Sequence, residues 1–308
     1  MNSSLAIETR SLTRSFGSKS AVRGLNLQVP AGSIYGFLGP NGAGKTTTIR
    51  LILGLLRPSS GCVFLAGREI KAATAYQELR GVGTLVETPS LYANLTGREN
   101  LEVARRLLDV PVSQIGTVLN LMDLTADADR TVRSYSMGMR QRLGLARACL
   151  GEPRILILDE PTNGLDPEGV RDLRKLLRQL ASEHGVTVFL SSHLLSEIDQ
   201  MAEYIGILRQ GELIYQGELR GLRKYQRELY IRVDLPARAL EVLKASGWAT
   251  EAQDDGSLRV LLAAEPESAG VARVLVQAGI GVYELHSPKP SLEELFLQLV
   301  EHPEVAYA

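Results

Sequence analysis

Between the apolar run Ser33-Ile34-Tyr35-Gly36-Phe37-Leu38 and the helical pattern Thr46-Thr47-Thr48-Ile49-Arg50-Leu51-Ile52-Leu53 stands Gly39-Pro40-Asn41-Gly42-Ala43-Gly44-Lys45-Thr46-Thr47. No other stretch restricts the fold so strongly. The run matches G-x-x-x-x-G-K-[ST] in full, within the strand, glycine loop and helix context that this motif needs. Its glycines let backbone N–H groups turn toward phosphate oxygens, and the N-terminus of the following helix adds positive potential. Lys45 is placed to reach the β- and γ-phosphates, and the Thr46 hydroxyl to ligate Mg²⁺. Residues 39–47 are therefore expected to grip a nucleoside triphosphate on an α/β scaffold.

The rest of the chain supports that scaffold. From Ile7 to about Leu219, short β-rich runs alternate with helical stretches. The first residues show no clear period, whereas Leu25-Asn26-Leu27-Gln28-Val29 alternates as a half-exposed antiparallel strand would, and residues 61–67 suggest another strand. Ile155-Leu156-Ile157-Leu158 and Val186-Thr187-Val188-Phe189-Leu190 are nearly continuous apolar runs, the form of parallel strands covered on both faces. A helix-rich insert over about 88–150 lies between the phosphate loop and these strands. Within it, Thr96-Gly97-Arg98-Glu99 has capping-box spacing, and another helix is expected near Ser136. His184 is expected to end a helix capped by Gly185, and a hairpin to turn at Gly211.

After about Leu219 the character changes, which places the domains at 1–222 and 223–308. The tail reads strand, helix, strand, strand, helix, strand, the split-βαβ order of a small α+β ferredoxin-like domain. A last helix opens at Ser291, paired with Glu294 in capping-box spacing. Tyr230 and Trp248 are expected to pack this domain, and His286 and His302 to lie on its surface.

Two domains suit 308 residues, and 34 Lys+Arg against 35 Asp+Glu leave a formal charge of −1, so nucleic acid is not an expected partner. No stretch approaches the ~18 consecutive apolar residues of a membrane span, and residues 1–17 lack the apolar centre of a signal peptide. The expected location is cytosolic. Cys62 and Cys149, far apart and without C-x-x-C spacing, are expected to be reduced packing residues.

A phosphate loop needs an acid to hold metal and a group to act on water. Asp159 and Glu160 end the apolar run 155–158 and supply both: Asp159 toward Mg²⁺, Glu160 as acceptor or orienter for the attacking water. His193, after the next apolar run, falls where ligands collect at the carboxyl ends of strands and is expected to contact the γ-phosphate.

With these motifs in this order, residues 1–222 resemble the ATP-binding subunit of an ABC transporter: a P-loop NTPase domain with an antiparallel β subdomain and a helical insert. The resemblance implies further residues. Ser136-Met137-Gly138-Met139-Arg140-Gln141 stands at the signature, Leu-Ser-Gly-Gly-Gln in the family, with Tyr135 in the leucine position. Asn163-Gly164-Leu165-Asp166 matches the loop that communicates between two sites, and Phe16 is the implied adenine-stacking aromatic. Ser136, Met137, Gly138 and Asp166 would act in trans, on ATP held by an opposite subunit, so the implied state is a dimer docked on integral membrane permease subunits. A homodimer is expected, and pairing with a second kind of ATPase subunit stays open.

Met137 and Met139 depart from the signature's first glycine and its glutamine. Glu87 stands where the family has a glutamine that senses Mg²⁺ and the membrane partner; a carboxylate can still ligate Mg²⁺. Glu87 with Ser90-Leu91-Tyr92-Ala93-Asn94-Leu95-Thr96 is similar to subunits exporting bacitracin and lantibiotic-type peptides. Two alternatives stay open. One is a soluble ABC ATPase acting on nucleic acid or ribosomes, although one phosphate loop without a coiled-coil insertion argues against it. The other makes the tail a ligand-sensing domain.

Overall fold

The computed structural model describes residues 4–71, 75–86, 89–222, 227–262, 267–287 and 292–301. Glu87, Ser291, His302 and the expected boundary at 222/223 touch residues outside these ranges. The chain divides into a larger unit over Met1–Glu218 and Gln298–Ala308 and a smaller one over Leu219–Leu297.

The larger unit begins with β1 (Leu5–Phe16), β2 (Lys19–Leu25), β3 (Gln28–Pro30) and β4 (Ile34–Leu38), followed by α1 (Lys45–Ile52), β5 (Ser60–Leu65), β6 (Arg68–Glu69), α2 (Ala75–Glu78) and β7 (Val82–Leu85). Helices α3 (Gly97–Leu108), α4 (Ser113–Leu121) and α5 (Met137–Cys149) come next. The unit continues with β8 (Ile155–Asp159), α6 (Pro167–His184), β9 (Thr187–Ser192), α7 (Leu195–Asp199), β10 (Tyr204–Arg209) and β11 (Glu212–Glu218).

Strands β4, β8 and β9 are buried throughout and form the middle of a sheet ordered β11-β10-β4-β9-β8-β7, parallel except for the β10–β11 hairpin. Buried on both faces, they need apolar side chains at nearly every position, which is why their runs do not alternate. An antiparallel sheet, β2-β1-β5-β6 with β3 on β1, shares one core with it. There Phe189 lies 5.6 Å from Tyr35 and 5.3 Å from Phe37, ring centre to ring centre. A Cβ on Gly39 would lie 2.5 Å from Leu208 O, so only glycine lets β10 pass the start of the phosphate loop.

Two expectations for this region need correction. Residues 25–29 are not one strand: β2 stops at Leu25 and β3 starts at Gln28. Across the break the buried Thr9 hydroxyl donates to Leu25 O at 2.7 Å and accepts from Leu27 N at 2.9 Å, replacing ladder bonds. The aperiodic start is a twelve-residue strand, β1, whose register shifts at Arg14 and whose left-handed Ser11 (φ 47) interrupts the alternation. In the helical insert Thr96 caps α3 as expected: its Oγ accepts from Glu99 N at 3.1 Å, and Glu99 Oε2 accepts from Thr96 N at 2.7 Å. Gly185, at φ 64, caps α6 directly after His184.

The smaller unit opens with α8 (Leu219–Leu222), then β12 (Arg227–Val233), α9 (Pro236–Ala245), β13 (Thr250–Ala252), β14 (Leu258–Leu262), α10 (Glu267–Gln277) and β15 (Val282–His286); α11 (Leu292–Glu301) follows. Its sheet is ordered β13-β14-β12-β15 with antiparallel neighbours, so β12 and β13 flank β14 rather than each other. Leu229, Ile231, Leu243, Val260 and Leu275 form the core, and Trp248 packs against it. Tyr230 stacks on the exposed His286 with ring centres 5.7 Å apart. Among the described residues, no helix is long and apolar enough to cross a membrane.

Candidate functional site

Strand β4 delivers the chain into the glycine loop, and α1 takes it out. Gly42 (φ 81) and Gly44 (φ 110) hold left-handed backbone that a side chain would strain, and a Cβ on Gly44 would also collide with Ala21 O. Space around Gly42 is open. Among the described residues, none caps the N-terminus of α1 with a side chain or places an acid in its first turn, so its first N–H groups remain available to an anion. Pro40, Asn41, Gly42 and Gly44 line a cleft of about 780 Å³ together with Lys45, Thr46 and Thr47. Gly39 and Ala43 support the loop from behind: Gly39 O accepts from Lys45 Nζ, and the buried Ala43 accepts from Gly211 N through its carbonyl at 2.9 Å.

The expected polar residues converge on this cleft. Lys45 is 6% exposed, with Nζ 2.7 Å from Gly39 O and 3.2 Å from Glu160 Oε1. Glu160 Oε2 lies 2.7 Å from His193 Nδ1, so one carboxylate spans the lysine and the histidine. Thr46 Oγ donates to Asp159 Oδ2 at 2.8 Å. Phe16 forms one end of the cleft; it is 49% exposed, and the Arg14 guanidinium sits 4.6 Å from its ring centre. A half-open aromatic face can stack a base.

Several lining residues had no signal in the sequence. Lys19, Ser20, Arg23 and Gln210 reach the cleft from β2 and the β10–β11 turn, which only the fold brings near the phosphate loop. Asn163, expected in the communicating loop, also lines it. Behind the acids, Ser191 donates to Asp159 Oδ1 and accepts from Glu160 N at 3.0 Å.

Ser136, Met137, Gly138 and Asp166 meet in a different cleft of about 680 Å³, which shares no lining residue with the first among the described residues. Ser136 caps α5, its Oγ accepting from Met139 N at 3.2 Å. Asp166 caps α6, with Oδ1 accepting from Gly169 N at 2.8 Å. Met137 is folded against Gly164, where a Cβ would sit 2.6 Å from its Sδ and still closer to Cε. The signature departure is therefore accommodated by the glycine of the communicating loop. Gln141 Nε2 donates to Pro161 O at 2.7 Å and ties α5 to the segment leaving Glu160. Tyr135, in the leucine position, is buried and donates its hydroxyl to Asp127 O at 2.7 Å; burial, then Asp127, raises its pKa.

The donors present fit Mg²⁺, a hard cation that takes a few protein oxygens and completes its shell with water and phosphate. Thr46 and Asp159 offer such oxygens 2.8 Å apart beside the loop, whereas among the described residues no cluster of three or more His, Cys, Asp or Glu forms an all-protein cage.

The ABC transporter family model matches residues 22–163. The bacitracin transport ATP-binding protein BcrA of Bacillus licheniformis is 39% identical over 302 residues, covering 96% of this chain and 98% of its own. The lantibiotic transport ATP-binding protein SrtF of Streptococcus pyogenes is also 39% identical, over 70% of this chain and 92% of its own. The dimeric post-hydrolysis structure of the ATP-binding cassette MJ0796 bound to ADP and Pi superposes with a TM-score of 0.63 at 25% identity, covering 70% of this chain and 99% of that one. A phosphate loop set against Asp159, Glu160 and His193, in a chain that aligns nearly end to end with such a relative, identifies this protein as an ATPase of the ABC transporter ATP-binding family.

Proposed function

We propose that two copies of this chain bind ATP between them and, docked on integral membrane permease subunits at the cytoplasmic face of the membrane, power export of a peptide antibiotic or another amphipathic compound. The observation that carries the mechanism is Glu160 held between Lys45 and His193 at the mouth of the phosphate loop. Lys45 would leave Glu160 for the β- and γ-phosphates, freeing one carboxylate oxygen to orient or deprotonate the attacking water. His193 keeps its contact with the other oxygen and offers its second ring nitrogen toward the γ-phosphate. Thr46 and Asp159 would hold Mg²⁺, which when bound neutralises phosphate charge.

Phe16 would stack the adenine. The open signature cleft supports action in trans: Ser136 has a hydroxyl proton to donate, Gly138 permits close approach, and Met137 is turned onto Gly164 instead of across that face. Asp166 would carry closure from one site to the other. Glu87 is assigned to coupling with the permease and to Mg²⁺. The split-βαβ order supports a ferredoxin-like accessory role for residues 223–308. Cargo class rests on the bacitracin and lantibiotic relatives.

The test is Glu160→Gln. It should retain ATP binding, abolish turnover and accumulate an ATP-dependent dimer by size exclusion. Hydrolysis at the wild-type rate would remove Glu160 from its role.

A further inference from the structure

Ser191 is fully buried at the carboxyl end of β9, directly across the ladder from Asp159. Its hydroxyl is used in both senses: the proton goes to Asp159 Oδ1, and the oxygen accepts from Glu160 N at 3.0 Å. Thr46 occupies the other oxygen of the same carboxylate at 2.8 Å. The plane of Asp159 is thus fixed from two sides by hydroxyls on two different elements. Glu160 needs a second restraint, because it stands at φ 49, a left-handed backbone that a non-glycine residue holds only when its surroundings impose it. Its N–H is directed at Ser191, to the carbonyl at 3.2 Å as well as to the hydroxyl. Ser192, one residue on, turns to the opposite side and accepts from Leu194 N at 2.9 Å. The two serines are therefore not equivalent.

We infer that Ser191 is a positioning residue that sets the metal-side carboxylate and the water-activating carboxylate with one hydroxyl. The inference rests on the roles proposed above for Asp159 and Glu160. If Thr46 turns a lone pair toward a cation, its proton can stay with Asp159 Oδ2, and Ser191 is then the restraint that keeps the other oxygen, Oδ1, aimed. Ser191 is fully buried, so in the folded protein bulk solvent does not share the two contacts its hydroxyl makes. Groups that orient metal ligands from behind change affinity or activity by about 10–100-fold when removed.

The experiment uses the full-length chain and a fluorescent ATP analogue, titrated without metal and then with Mg²⁺, followed by steady-state hydrolysis. Ser191→Ala should bind the metal-free analogue within about twofold of wild type. Its Mg²⁺ midpoint should rise, and its turnover fall, by about 10–100-fold. Ser191→Thr, which keeps the hydroxyl, should recover both to within about threefold. A wild-type Mg²⁺ midpoint and turnover in Ser191→Ala would overturn the inference. If that variant does not fold, Ser191→Cys, a weaker donor, decides: a raised midpoint supports the role and a wild-type midpoint overturns it. Asp159→Asn and Glu160→Gln run in parallel. Wild-type turnover in those two would instead overturn the underlying roles, whatever Ser191 does.

Discussion

Replacing Gly164 with alanine adds one methyl group at a position with two separate constraints. The backbone there is left-handed (φ 76), which costs an L-residue about 1–2 kcal/mol. The new Cβ would also lie 2.6 Å from Met137 Sδ, while the next atom of that side chain stands at 3.8 Å. Only the flexible end of Met137 is in the way, so it should swing off the loop. Because Met137 is 54% exposed, little packing is lost, about 0.5–1 kcal/mol. Gly164→Ala should thus destabilise the larger unit by about 2 kcal/mol, and in a Met137→Ala background by only the backbone part. The coupling in the double-mutant cycle, read from urea unfolding, should be about 0.5–1 kcal/mol. ATP-dependent dimerisation should suffer more than stability does, since Met137 lines the same cleft as Ser136 and Gly138 and would be displaced within it; Met137→Ala should restore it. Additive effects on both readouts would refute the interlock between signature and communicating loop.

Lys45→Ala should weaken ATP binding itself, measured by analogue titration, whereas Glu160→Gln leaves it intact. Phe16→Ala should weaken ATP without changing the affinity for inorganic tripolyphosphate, which has no base to stack; equal losses for both would place Phe16 outside the base site. Thr9→Ala strips partners from two buried backbone groups and should cost about 2 kcal/mol in urea unfolding. Burial pushes the Cys149 thiol up to about 12. At pH 8 its thiolate fraction is on the order of one in 10⁴, so a maleimide should label Cys62 in the native protein before Cys149.

How far the sequence could be read depended on how local each signal was. The phosphate loop, Asp159 and Glu160 announce themselves because motif and supporting strand are contiguous, and buried parallel strands leave unbroken apolar runs. Helix ends at Thr96, Ser136 and Gly185 were legible because caps act over three residues, whereas the cap at Asp166 was not read. Strand β1 was not: bulges at Arg14 and a left-handed Ser11 destroy the alternation that marks a strand. Long-range geometry was also hidden. Neither the pairing of Ser191 with Asp159, nor the approach of Lys19 and Gln210 to the cleft, nor Met137 folded on Gly164 leaves a pattern in sequence.

A chain that supplies ATP-driven closure to a membrane partner, as proposed, should be held by that partner in the membrane. The direct measurement is to isolate it from gently detergent-solubilised membranes of its own host and identify the protein that accompanies it. A multi-span integral protein in stoichiometric amount is the expected result. Recovery only from the soluble fraction, with ribosomes or nucleic acid attached, would contradict the account.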